Sequence, residues 1–386
     1  MDTESVRGEL LAEVASVEPI LAQHARSSEA LGRLDSESIE ALRKTRLLRL
    51  AAPRDLGGLE VDPVTQLEVI EALARIDGSA AWCAGILAGT TAIAGGYLPA
   101  ASSRKLFAAG VPTMAGQVGP SGRAVPAAGG YRLTGRWKFG SGIHHAEWVV
   151  GGGFVQGREL PAGIRLFVLP KDQVVVHDNW QVAGLKASGS SDYSIEDVFV
   201  PEEMTVAFLD TIVGNVVTGG AALRMGMPAI VTPFHAAVAL GIARRALDEV
   251  TRQAIEKGRG FPPSPLPTHQ HFQMSLGKAE LELASARALE VALLSSLWAE
   301  AAAGATPAPA RQAEARAAAT FVTEVAQRVT TAAFQAMGGG ALFDDNPLQR
   351  CFRDVHAAGQ HFIMSPTAYR ALGQFKLGQP DANPML

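Results

Sequence analysis

Apolar and polar positions change period twice along the chain. Up to about residue 110 the apolar positions recur at helical spacing, and the punctuation agrees with them. Asp35 and Ser36 can cap "SESIEALRKTRLLRL", which carries acids in its first turn and bases in its last; Asp62-Pro63 opens the next helix and Asp77-Gly78 closes it. From Val111 to about Pro201 the pattern shortens to runs rich in β-branched and aromatic residues, "YRLTGRWKF", "EWVVGGGFV", "IRLFVLP" and "YSIEDVFVP", bounded by Gly, Pro, Asn or Asp. No helical run separates them, which predicts an antiparallel sheet, barrel-like or sandwich-like. From about Gly219 long Ala-rich helical patterns return in four segments, the last containing "CFRDVHAAGQHFIMSP", and the short breaks between them predict an antiparallel bundle. The expected fold class is α+β in three parts: helical 1–110, β 111–205 and a bundle 206–386.

The segment Gly78 to Ser103, "GSAAWCAGILAGTTAIAGGYLPAASS", carries no charge over more than the ~20 residues a membrane span needs. It stands alone, is rich in Gly, Ala and Thr and is broken by Pro99, so it reads as a helix buried in a core, and no membrane is expected as a partner. The N-terminus is acidic and amphipathic, with no basic region ahead of an apolar one, and no secretory signal is expected. Lys and Arg number 34 against 38 Asp and Glu among 386 residues, with no basic run interleaved with aromatics, which argues against nucleic acid. The two cysteines, Cys83 and Cys351, lie in apolar helical stretches; they exclude a disulfide framework and predict core thiols in a reducing, cytoplasmic compartment.

The glycines of "WVVGGGFVQG" have the wrong spacing for a dinucleotide fingerprint, no helix follows them, and no P-loop occurs. A flat cofactor would need another wall. "GRWKFGSG" offers one: a strand with Trp137 and Phe139 on one face runs into a Gly-Ser-Gly turn that adds the Ser141 hydroxyl, although alternating aromatics also suit a plain core. His144 and His145, adjacent on a strand, point apart, and His269 and His271 open a helix with no acid or Cys nearby. Neither pair gives the converging ligands of a zinc site, and no metal is expected. His235 and His361 lie on Ala-rich helices without a nearby acid, the usual setting of a core histidine. In "RDVHAAGQHFIMS", however, one helix would stack Asp354, His361 and Ser365 on a stripe, with His356 pointing elsewhere. A Ser-His-Asp hydrolase would need a nucleophile elbow after a parallel strand, and "KASGSSDYS" lacks that setting.

Five phrases in order, "LAAPRDLGGLEVD", "YRLTGRWKFGSG", "GLKASGSSDYSIEDVFVPEE", "HQHFQMSLGKAELE" and "QAMGGGALFDDNPLQRCFRDVHAAGQH", resemble the acyl-CoA dehydrogenase superfamily over nearly the whole chain. The resemblance implies an N-terminal helical domain, a central antiparallel β-barrel, a C-terminal four-helix bundle, a homotetramer, and a flavin between barrel and bundle. A dehydrogenase of this kind takes the substrate α-proton with a Glu that comes about eight residues after the Arg-Asp pair, or at the start of the first bundle helix. Here the first place gives His361 and Phe362, and no acid occurs from Thr211 to Leu247. What remains resembles the two-component flavin-dependent monooxygenase branch, which takes reduced FMN or FAD from a separate reductase, binds O2 and hydroxylates through a C4a-hydroperoxyflavin. An acyl-CoA dehydrogenase or flavin oxidase with an unconventional base, and a non-catalytic bundle protein, are the alternatives.

The same resemblance implies that His361 lies over the isoalloxazine and Ser141 near its N5, as catalytic residues. It places Gln117, Val118, Trp137 and Phe139 around the ring, Arg259, Phe272 and Gln273 against a neighbouring subunit's cofactor, and Gln335, Gly338 and Gly339 at its phosphates. Thr90 stands about where phenol hydroxylases of the branch carry a His, which widens the expected substrate from a phenol to an indole, another small aromatic or an amine. Trp82, Thr90, Phe234 and His235 are expected to line the substrate pocket. Arg353 and Asp354 are expected to form an ion pair that anchors their helix.

Overall fold

The computed structural model describes residues 3–260 and 262–385, and of Arg259 the backbone alone. Its N-terminal helices start and stop where side chains can satisfy the free amides. Behind the long α1 (Thr3–Leu31), Asp35 accepts from the Ser38 amide and starts α2 (Ser36–Arg43). Asp62, followed by Pro63 at the first helical position, accepts from the Val64 and Thr65 amides and opens α3 (Pro63–Ile76). Asp77 ends α3 and accepts from Ala80 to start α4 (Gly78–Tyr97), which α5 (Ala100–Leu106) follows. Helix α4 is the uncharged segment, and it is buried at every position except Ile86, Gly89 and Thr90, a stripe at i, i+3, i+4. Among the described residues no helix is long and apolar enough to cross a membrane.

Seven strands follow: β1 (Met114–Ala127), β2 (Gly130–Gly140), β3 (Trp148–Val155), β4 (Ile164–Pro170), β5 (Val175–Val176), β6 (Ser191–Pro201) and β7 (Thr205–Ala207). They form one sheet in the order β5-β6-β2-β1-β3-β4-β7. Two expectations change here. The sheet is mixed, because β1 and β3 run parallel while the other neighbours are antiparallel. A parallel pair needs a long crossover; here β2 itself is the crossover, pairing on one side of β1 before residues 141–147 take the chain to the other side. The sheet is also open, with β5 and β7 as its edges, rather than a closed barrel. Trp137 fills its core: fully buried, it stacks on Tyr193 at 5.2 Å and gives its indole N–H to Gly152 O at 2.8 Å. Glycines make the room, since a Cβ on Gly122, Gly135 or Gly151 would stand 2.4, 2.8 or 3.1 Å from the indole.

After two short segments, α6 (Phe208–Ile212) and α7 (Ala221–Arg224), helix α8 (Thr232–Ile255) packs against α3 and α4 as well as against α9 (Gln270–Ala302), α10 (Pro309–Met337) and α11 (Pro347–Ala358). It therefore joins the N-terminal unit to the bundle. A small hairpin, β8 (Gly258–Arg259) with β9 (Ser264–Pro265), links α8 to α9, and α12 (Thr367–Lys376) lies on α10. The fourth bundle segment is shorter than its sequence pattern suggests. It breaks after Ala358 at Gly359, where a Cβ would stand 2.1 Å from Gln327 Nε2 of α10. Asp354, His361 and Ser365 thus do not share a helical stripe.

Candidate active site

Between the sheet, α4 and the turn after α11 lie two adjoining cavities. The larger, a slot of about 680 Å³, has aromatic walls from Phe139, Trp180, Phe352 and Phe362. The smaller, a chamber of about 80 Å³, is faced by the open stripe of α4 (Ile86, Gly89, Thr90), by Phe234 and His235 at the start of α8, and by Val118 of β1. Gln117, Phe139, Ser141, His361 and Phe362 line both, so they mark the border.

Phe139 reaches the border through a distortion of its strand. The pairing of β2 with β6 is interrupted between Trp137 and Gly140, and Phe139 has φ +63°, a left-handed conformation uncommon outside Gly. The bulge sends Trp137 inward and leaves Phe139 57 % exposed, edge-on to Trp180 at 6.2 Å. Trp137 and Phe139 therefore do not share a wall, and Trp137, expected beside the cofactor, belongs to the sheet core.

Ser141 is buried and tied into a chain of donors. Trp82 gives its indole N–H to Ser141 Oγ at 2.9 Å; Ser141 and Ser190 hydroxyls are 2.7 Å apart, as are those of Ser190 and Ser188. An indole can only donate, so Ser141 keeps its own O–H to give. Ser188 and Ser190 come from the "KASGSS" stretch, whose serines had suggested only an unsuitable hydrolase motif.

His361 caps the single 3-10 turn Phe362–Met364 that follows the helix break, and its Nδ1 accepts from the Ile363 amide at 3.3 Å. The neutral ring thus carries its proton on Nε2. Its pKa is held well below the ordinary value by burial and by the neighbouring His235, whose ring lies 4.3 Å away. His235 is pushed down to about 4 by burial, partly opposed by its bond to Val231 O. Both imidazoles are therefore neutral near pH 7, and Trp82 packs edge-on against each, at 5.1 and 5.8 Å.

Other expected residues lie elsewhere. Phe272 packs on the bundle core, Gln273 is exposed and gives its amide to Pro267 O, Gln335 and Gly339 are at the surface, and Gly338 caps α10 with φ +55°. None of them lines either cavity. The Arg259 side chain lies outside the described residues. Arg353 and Asp354 do not pair with each other. Arg353 pairs with Glu29 and gives a hydrogen bond to Ala183 O, while Asp354 accepts from the Leu185 amide at 2.6 Å, its carboxyl pushed up to about 7 by burial. Both thereby hold the 183–185 loop against the slot. His356, expected to point elsewhere, lines the slot as well, with Nε2 3.1 Å from Thr331 Oγ1. His144 and His145 sit on a 3-10 turn rather than a strand.

Residues 234–366 match the family described as acyl-CoA dehydrogenase, C-terminal domain. Over 378 residues, 92% of this chain and 91% of the relative, the sequence is 30% identical to indole-3-acetate monooxygenase of Pseudomonas putida. The chain belongs to the flavin-dependent monooxygenases of the acyl-CoA dehydrogenase superfamily. It is also 26% identical, over 100% of its own length and 98% of the relative's, to the flavin-dependent monooxygenase oxygenase subunit HsaA of Mycobacterium tuberculosis. XiaF from Streptomyces sp., solved in complex with FADH2 and glycerol, matches it with a TM-score of 0.89 at 25% identity, covering 100% of this chain and 98% of that one. In this monooxygenase no Asp or Glu among the described residues lines the slot or the chamber.

Proposed function

We propose that this monooxygenase is the oxygenase component of a two-component system: it takes reduced FMN or FAD from a separate reductase, holds the ring in the slot, and hydroxylates a small aromatic, heteroaromatic or amine substrate seated in the chamber. The observation that carries this reading is His361 at the border of two cavities that no Asp or Glu among the described residues lines. The slot fits the cofactor. Its aromatic walls suit a flat ring, and about 680 Å³ falls in the range of cofactor pockets. Bound reduced flavin would supply the two electrons that activate O2, by C4a-hydroperoxide chemistry. The chain's own groups do the rest. The Nε2–H of neutral His361 can hydrogen-bond an oxygen species or pass it a proton, where a carboxylate would repel an anionic oxygen. Ser141 can accept from both Trp82 and Ser190, which leaves its O–H to turn towards the ring edge, and the apolar chamber walls keep water from the reacting atoms.

The relatives support the same division of labour: one is an indole-3-acetate monooxygenase, another an oxygenase subunit, and XiaF was solved with FADH2. Phe272, Gln273, Gln335, Gly338 and Gly339 lie away from this chain's own slot, which fits a homotetramer in which they meet a neighbour's cofactor. A dehydrogenase with an unconventional base would have to use an imidazole, since no Asp or Glu among the described residues lines the walls.

Mixing the reduced, flavin-loaded protein with O2 in a stopped-flow instrument should give a transient flavin-adduct absorbance. No transient would overturn this route. His361→Asn should leave flavin affinity unchanged and lower hydroxylation by about 100-fold, the scale of a lost proton-transfer group, with hydrogen peroxide in its place. Unchanged coupling in that variant would remove the role given to His361. A smaller effect is expected at Gly89, where a Cβ would stand 3.3 Å from the Phe234 ring. Gly89→Val, by narrowing the chamber, should weaken substrate binding about tenfold, near 1.4 kcal/mol, without altering flavin binding; titration of each ligand checks it.

A further inference from the structure

One polar atom at the chamber has no place in that scheme. His235 stands in the first turn of α8 with Nδ1 2.9 Å from Val231 O, four residues back. A carbonyl only accepts, so the neutral ring carries its proton on Nδ1, and Nε2 is left as a bare acceptor. The residue is 5% exposed, and among the described residues Nε2 has no hydrogen-bond partner. Its neighbours do not provide one. Trp82 meets the ring edge-on and already gives its N–H to Ser141, and the His361 ring lies 4.3 Å away by centroid without a hydrogen bond between the two. The nearby chamber walls, Ile86, Ile93, Val118, Met227 and Phe234, are apolar. Buried acceptors are nearly always paired, and leaving one unpaired is costly.

We infer that His235 Nε2 is the acceptor by which the chamber selects its substrate: a flat aromatic bearing an N–H or O–H donor, in preference to an isostere that lacks it. The inference rests on the proposed seating of the substrate in the chamber and adds what the substrate must carry. The two imidazoles at this site have opposite tautomers, each fixed by a backbone group. His361 accepts from the Ile363 amide through Nδ1 and presents an N–H; His235 donates to Val231 O through Nδ1 and presents a lone pair. One ring is thereby suited to an oxygen species, the other to a donor on the substrate. A pocket built around a hydrogen bond rejects an analogue without the donor far more strongly than an apolar pocket rejects a small change in size. Selection here therefore turns on one atom of the ligand and not on its outline. The hydroxyl of Thr90, on the open stripe of α4, adds polarity to the chamber but can turn to donate or accept, so it does not impose a sign.

The test is equilibrium binding to the protein loaded with oxidised flavin, using matched pairs: indole against 1-benzothiophene, and phenol against toluene. The unaltered protein should bind at least one donor-bearing member roughly ten to a hundred times more tightly than its partner, the range expected of one buried hydrogen bond; whichever pair responds tells an N–H from an O–H substrate. His235→Phe, which keeps a flat ring, should remove the preference, and His235→Gln, whose amide oxygen can accept, should restore part of it. Equal binding within both pairs by the unaltered protein, or a preference that survives His235→Phe, would overturn the inference. Should that variant fail to fold, 1-methylindole on the unaltered protein removes the donor from the ligand instead: binding as tight as that of indole sinks the indole arm. The oxygen-mixing experiment is independent of this result. A flavin adduct without a donor preference would leave the monooxygenase route standing and remove only the role of His235.

Discussion

Arg316→Met is expected to lower stability by about 3 kcal/mol and to uncouple oxygen use from hydroxylation, although the guanidinium lines neither cavity. Arg316 is 2% exposed on α10. It gives hydrogen bonds to Ile363 O and Phe362 O at 3.2 Å each, to Thr367 Oγ1 at 3.0 Å and to Pro384 O at 3.3 Å. Burial holds its pKa below the ordinary value, and three carbonyl oxygens face the guanidinium. Those carbonyls belong to the turn that follows His361 and to the segment that contains Met385, which lines the chamber. Methionine fills much of the volume but leaves three carbonyls without donors, at roughly 1 kcal/mol or more each, against which some desolvation of the guanidinium is recovered. Denaturant midpoints and the ratio of hydrogen peroxide to hydroxylated product measure the two effects. A packing role alone would shift the midpoint and leave the ratio where it was; a positioning role moves both. An unchanged midpoint and ratio would show that the turn is held by something else.

How far the site could be read in the sequence follows from the range of the contacts that build it. The caps at Asp35, Asp62 and Asp77 act within one turn, and all three were legible. So was the buried helix α4, because a run without charge has few other solutions. The parallel pairing of β1 with β3 was not, since a period of two identifies strands but does not order them. The break after Ala358 was missed for a similar reason: Gly359 lies against the amide tip of Gln327, which is on another helix. Within the site, Thr90, Gln117, Phe139, Ser141, Phe234, His235 and His361 line the cavities expected for them, whereas Trp82, expected at the substrate, lines the slot and Val118, expected at the ring, lines the chamber. Trp137 does not, because a bulge between it and Gly140 breaks the alternation that had placed it beside Phe139. Arg316 gave only the faint signal of one base in an alanine run, "AEARAAATF". Nothing local could say that its partners lie more than forty residues downstream, at Phe362, Ile363 and Pro384.

Glu290→Met should stabilise the protein, and by more as the pH rises. Glu290 is 1% exposed on α9, shares a helix face with Ala286, Leu293 and Leu294, and has an Oε2 without a hydrogen-bond partner among the described residues. Burial alone pushes its carboxyl up to about 8. In the unfolded chain it ionises near the ordinary value of 4.5. Between those two values the folded state binds the extra proton, so stability falls with rising pH, by up to about 1.4 kcal/mol per unit for this one group. The loss is absent below 4.5 and complete above 8, where it amounts to roughly 4 to 5 kcal/mol as an upper bound. Buried histidines slope the other way: His235 and His145, held at about 4 and about 3, stay neutral when the unfolded chain takes up protons, so their contribution is lost as pH falls below 6.5. Comparing the variant with the unaltered protein cancels those histidine effects. The difference in denaturant midpoint should be small at pH 5 and large at pH 8, where methionine removes a charge that the apolar face of α9 cannot solvate. Midpoints that differ equally at both pH values would mean that Glu290 is ionised alike in the folded and unfolded states.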